Sequence, residues 1–134
     1  MASDAPKLIE AAVRSFLEEV PALKPMQLVA RFDLIGGRSD LQQFRVELPE
    51  VKVTKDIGAD AKVVVEMRRE FFNAMVEHGA KVADWRESIY GGQLKAMGNT
   101  QYLRLIQTVV EKQEERDRLR QQTQARSRQQ RAER

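Results

Sequence analysis

The chain contains no cysteine, and this excludes a disulfide scaffold, a thiolate nucleophile and any iron or zinc site built on sulfur. It contains one histidine, His78, so neither a His-rich metal centre nor a two-histidine catalytic pair can be assembled within one copy. No uninterrupted apolar stretch exceeds three residues, Val63-Val64-Val65 being typical. A membrane-spanning helix needs about 20 such residues. Asp4 and Glu10 interrupt the pattern of a secretory signal at the N-terminus. Together these absences predict a cytoplasmic domain with little equipment for covalent chemistry and no cofactor or metal.

What is present amounts to one domain, at 134 residues with 42% hydrophobic and 32% charged side chains. The net charge of +3 is unevenly spread. Residues 120–134 hold five arginines against one acid and carry +4, which leaves residues 1–119 at −1. The basic character therefore belongs to a tail.

Hydrophobic spacing sets the element order. Leu8, Ile9, Ala12, Val13, Phe16, Leu17 and Val20 recur at helical spacing, with Ser3 or Asp4 as cap and Pro21 as stop. The period then falls to two. Leu28, Ala30, Phe32 and Leu34 share one face of a strand, and Arg31 and Asp33 lie on the other. Phe44, Val46 and Leu48 mark a second strand, Val51 and Val53 a third, and Ala61, Val63, Val65 and Met67 a fourth. Short loops between consecutive strands predict an antiparallel meander. Helical spacing returns over 70–77, with Gly79 as C-cap, and over 82–90; a last strand is read at 93–97. Asn99 or Thr100 caps a final helix with Leu103, Ile106, Val109 and Val110 turned inward. Beyond Val110 the only large apolar residue is Leu119, so residues 112–134 are expected to form a fraying helical extension followed by disorder. The fold class is α+β, a sheet covered by helices on one face.

Three stretches are similar to the sterol carrier protein (sterol transfer) domain family, over about Leu8 to Glu111. They are Ala30-Arg31-Phe32-Asp33-Leu34; Ala59 to Met67 running into a helix with Phe71-Phe72; and Gly92-Gln93-Leu94-Lys95-Ala96-Met97-Gly98-Asn99. The third is the most specific and departs from the family at Gln93, where lysine is usual. The resemblance implies a domain over 1–111 with a five-stranded, mostly antiparallel sheet, helices on one face and an apolar tunnel between the layers. It implies a ligand too: sterol, fatty acyl chain or other lipid, bound with low selectivity. Peroxisomal members end in a Ser-Lys-Leu type signal, whereas this chain ends Arg131-Ala132-Glu133-Arg134, which points to a cytosolic, bacterial-type member.

The residues themselves point the same way. Phe71, Phe72, Met75, Trp85, Ile89, Tyr90 and Met97 crowd the two short helices and the last strand. Such a set forms either a filled core or the wall of a pocket. With Phe32, Leu34, Leu103 and Ile106 they are the candidate ligand-binding residues. Burial of ligand methylenes at about 0.8 kcal/mol each would bind a lipid without polar contacts. The competing reading is a small isomerase, cyclase or dehydratase using the same cavity, for which Asp33, Glu66, His78 and Tyr90 are the candidate acids and bases. For Asp33 and Glu66 a solvated sheet face, and for His78 a helix C-terminus, are the simpler roles. A third reading is an interaction module acting through the C-terminal helix, and the oligomeric state stays open. For the tail (Arg126, Arg128, Arg131, Arg134) a solvated role leads, contact with an anionic membrane or a protein follows, and nucleic acid comes last because no aromatic follows Tyr102.

Overall fold

The computed structural model describes residues 5–132, without the side chains of Ser39 and residues 125–132. The capping role read for Ser3 or Asp4 therefore lies outside the described residues. Helix α1 (Ala5–Glu19) buries Ala5, Ile9 and Leu17, one apolar stripe, and ends in a 3-10 turn at Pro21–Leu23. Strands β1 (Leu28–Ile35), β2 (Leu41–Leu48), β3 (Lys52–Lys55) and β4 (Val63–Arg68) follow. Then come α2 (Arg69–Glu77), α3 (Val82–Tyr90), β5 (Leu94–Gly98) and α4 (Thr100–Ala132).

The five strands form one sheet in the order β3-β2-β1-β4-β5. All neighbours are antiparallel except β1 and β4, which run parallel from Ala30 opposite Val63 to Ile35 opposite Arg68. The meander thus holds for β1 to β3 and fails at β4. Residues 56–62 span about 23 Å when extended, and the three strand spacings from β3 to β4 need only about 14 Å. A short loop therefore does not force its strands to be neighbours.

That loop crosses the sheet face opposite the helices, and charge holds it there. The Arg45 guanidinium donates to Asp60 at 2.8 Å and to Glu47 at 3.2 Å, while Arg31 donates to the Ile57 carbonyl at 3.4 Å. Gly58, at φ +60, passes directly over the Arg31 side chain. The hydrogen bond from Arg45 holds the Asp60 carboxyl below its usual range, and the two carboxylates keep Arg45 charged. The Asp60 contact thus stabilises the fold fully above the ordinary carboxylate pKa and is lost as pH falls through the lowered value. A carboxyl-carbon NMR titration is expected to give Asp60 a midpoint below the ordinary one. An unshifted midpoint would mean that the contact is not kept in solution.

Of the four glycines with positive φ among the described residues, Gly79 and Gly98 set the ends of elements. Gly79, at φ +68, ends α2: its N–H donates to the Val76 carbonyl, and Ala80 N–H donates to the Met75 carbonyl, both at 3.0 Å. Gly98, at φ +122, lets β5 run close beside Lys62, and a Cβ there would overlap the Lys62 carbonyl oxygen. Asn99 follows, donating its N–H to that oxygen at 2.7 Å and capping α4 through Oδ1, which accepts from Gln101 N–H at 2.9 Å. Gly98→Ala is expected to cost more than about 1 kcal/mol in urea denaturation, because it adds both strain and overlap. An unchanged midpoint would show that the close approach is not needed.

The core lies between the sheet and the helices, with Ile9, Leu34 and Phe72 fully buried. A second cluster joins Leu17, Val20, Leu23, Val51, Val82 and Val110 where α1, α3 and α4 meet. Beyond it, Arg86 on α3 pairs with Glu114 and, at 3.7 Å, with Glu111, tying α4 to α3. α4 then continues as helix to Ala132, through the stretch read from sequence as a fraying extension. Among the described residues no helix is long and apolar enough to cross a membrane.

Candidate functional site

Strand alternation decides what faces the helices. On the inner face Phe44, Phe32, Val65 and Ala96 form one row across four strands, and Ala30, Val63 and Gly98 form part of the next. Toward the β5 side this floor is made of small residues. Beside it α1, α3 and α4 pack on one another through the second cluster, leaving space over the small floor residues. The outcome is a cavity of about 230 Å³ between the layers.

Its floor is Ala30 and Phe32 of β1, Val46 and Leu48 of β2, Val63, Val65 and Met67 of β4, and Leu94 and Ala96 of β5. Ala12, Val13, Phe16 and Leu17 of α1 form one wall, completed by Leu23, Met26 and Leu28. Phe72 of α2, Trp85 and Ile89 of α3, and Leu103 and Ile106 of α4 complete the enclosure. Phe72 anchors an aromatic group, edge-on to Phe32 at 6.4 Å and tilted against Trp85 at 6.2 Å between ring centres. Ile89 is 46% exposed, so the cavity reaches the surface near the end of α3.

Of the eleven candidate ligand-binding residues, Phe32, Phe72, Trp85, Ile89, Leu103 and Ile106 border the cavity. Leu34 is fully buried in the core and does not border it. Phe71 and Met75 are half-buried on other sides of α2. Tyr90 is 74% exposed, with the Arg86 guanidinium 6.0 Å from its ring centre. Met97 pairs with Val64, on the same face as Arg31, so alternation turns it away from the helices. Sequence reasoning passed over the α1 wall and the small floor residues. Both signals were there: the α1 stripe, and alanine at inward positions 30 and 96.

The four candidate acids and bases lie elsewhere. Asp33 and Glu66 do sit side by side in register on β1 and β4, but on the face away from the cavity. Asp33 is buried and receives two hydrogen bonds from Arg31, at 2.7 and 3.0 Å. Glu66 stands opposite Lys95. His78 is exposed beyond the end of α2, its backbone N–H bonded to the Ala74 carbonyl. The arrangement brings none of the four to the cavity and gives each a structural partner or solvent. Among the described residues no group of acids and histidines could hold a metal ion. The arginines at 126, 128, 131 and 134 have no described side chains.

No protein-family model and no curated protein matches the sequence. Solved structures do match its fold. The sterol carrier protein domain 2 of Helicoverpa armigera superposes with a TM-score of 0.53 at 16% identity, covering 79% of this chain and 83% of the other. Sterol carrier protein 2 of Yarrowia lipolytica, in its apo form, gives 0.52 at 17% identity over 75% and 93%. That of Aedes aegypti, solved in complex with the C16 fatty acid palmitate, gives 0.51 at 18% identity over 79% and 93%. These likenesses, all under 20% identical, are likenesses of fold; in fold, this chain with its five-stranded mixed sheet is a sterol carrier protein-like domain.

Proposed function

We propose that this chain binds a hydrophobic ligand in the cavity between sheet and helices and carries or presents it without covalent chemistry. The observation that carries the reading is the lining itself: every residue bordering the cavity is aliphatic, aromatic or methionine. The palmitate held by the Aedes aegypti protein of the same fold supports a fatty or similar chain as ligand. Each ligand methylene buried there contributes about 0.8 kcal/mol before the cost of association is subtracted. Met26 and Met67 in the wall can repack around differing shapes, which suits a broad carrier. In this reading residues 1–111 are the binding domain and residues 112–134 a charged, chiefly solvating extension, with transient contact to an anionic membrane or a protein as its second role.

Native mass spectrometry of the purified protein tests this. The expected result is a co-purified lipid, or stoichiometric uptake of an added short-chain lipid. A spectrum with neither would overturn the proposal. The enzyme reading gains no support from the geometry, since Asp33, Glu66, His78 and Tyr90 all stand outside the lining.

A further inference from the structure

The cavity is exposed on one side only. Of the residues that border it, Ile89 at the end of α3 and Ala96 in β5 are exposed, and the rest are buried or half-buried. β5 is an edge of the sheet, so the mouth lies there. On β2 the cavity ends at Val46, which is buried, and at Leu48, which packs against the cluster of Leu17 and Leu23. Mouth and closed end are three strand spacings apart, about 14 Å. The surface between them is almost wholly apolar. From this we infer that a ligand enters tail first and keeps its polar head at the Ile89–Ala96 mouth. The cavity then takes amphiphiles polar at one end, whatever the head, and excludes chains polar at both ends. The inference rests on the hydrocarbon-binding reading above and names its ligand class.

The physical case concerns which end of the ligand loses its water. A chain that enters tail first brings only methylenes under the helices, and its head stays where solvent reaches it. Reversed, it would carry the head to a closed end that offers no partner. An unpaired buried hydroxyl is costly, and an unpaired carboxylate far more so. The same penalty falls on any chain with a second polar group at its far end. The head, in contrast, meets nothing built to read it, because no charged side chain borders the cavity. The cation next in sequence to Ala96, Lys95, stands opposite Glu66 on the other face of the sheet.

Octanoate, octyl glucoside and 8-hydroxyoctanoate, titrated calorimetrically into the full chain at pH 8, test the ligand class. The first two, which share a tail and differ in head, should bind within about tenfold of each other. The third should bind about tenfold or more weakly than octanoate, since its far hydroxyl finds no partner. A wider gap between the two heads, or 8-hydroxyoctanoate binding as tightly as octanoate, would overturn the inference. Charge tests where the head lies. Relative to octyl glucoside, Ala96→Lys should strengthen octanoate by about threefold and Ala96→Glu should weaken it by about as much. A ratio that moves in neither variant overturns the inference. Carbon NMR of carboxyl-labelled octanoate on the unaltered protein needs no variant. Its carboxyl should titrate as it does in free solution, and a midpoint raised by about one pH unit or more would put the head inside and overturn the inference. Failure of both octanoate and octyl glucoside to bind would instead retire the hydrocarbon-binding reading, and this inference with it.

Discussion

Replacing Ala96 by phenylalanine is expected to weaken binding of a short-chain lipid by about 100-fold while leaving the fold intact. Ala96 is an inward floor residue of β5 that is nonetheless exposed, so open space stands above it. A phenyl ring placed there occupies the volume of about three or four methylenes at roughly 30 Å³ each. At about 0.8 kcal/mol per methylene, the displaced chain gives up some 2.5 to 3 kcal/mol of burial. The ring meets no closely packed neighbour, so the overpacking penalty of a filled core should not apply. Lipid affinity by calorimetry and stability by urea denaturation check the two halves separately. Unimpaired binding would place the ligand somewhere other than over the sheet floor.

Truncating Phe72 to alanine should have the largest effect on stability, about 3 to 5 kcal/mol. Phe72 is fully buried on α2 and touches aromatic rings from both layers, Phe32 of the sheet and Trp85 of α3. Removing it opens a void next to an existing cavity, and the surrounding elements cannot collapse to fill both. Domains of this size have only about 5 to 15 kcal/mol in hand, so the urea midpoint should fall steeply with its slope nearly unchanged. The emission of Trp85 should shift in the native state, since one face of its ring loses its neighbour. A cost below about 1 kcal/mol would mean that Phe72 does not link the layers.

Much of this fold could be read from spacing because each element buries one face. Alternation at Leu28, Ala30, Phe32 and Leu34 gave β1 with its inner face, and Asn99 stood out as a cap for α4. The position of β4 could not be read so directly. Its apolar pattern fixes which way its side chains point, but its place in the sheet is set by the parallel pairing with β1, a long-range partnership that no local pattern encodes. The site was legible to a similar degree. Phe72, Trp85, Leu103 and Ile106 border the cavity because they lie on the apolar stripes of their helices. Met97 misled because hydrophobicity alone ignores register: it stands one residue beyond Ala96, and one residue reverses the face. The small residues that make the space, Ala30 and Ala96, carry no hydrophobic signal strong enough to draw notice.

The extension of α4 shows the limit of local reasoning in another way. Its own sequence is rich in Glu, Gln and Arg, which are good helix formers but offer no apolar face to pack, with i,i+4 contacts such as Gln113 to Asp117 at 3.1 Å adding a few tenths of a kcal/mol. Helix initiation is the costly step, and the packed turns from Leu103 to Val110 have already met that cost. The ion pairs of Arg86 with Glu111 and Glu114 then hold the next turn against α3. The packed turns and the Arg86 partner both lie outside residues 112–132.

The account as a whole stands on hydrocarbon entering the space beside Trp85, and quenching of that one indole by a dibrominated fatty-acid methyl ester tests it most directly. The prediction is saturable quenching at one equivalent of ester, relieved by an unlabelled competitor and lost in Ala96→Phe. Quenching that rises linearly without saturation, or none at all, would contradict it.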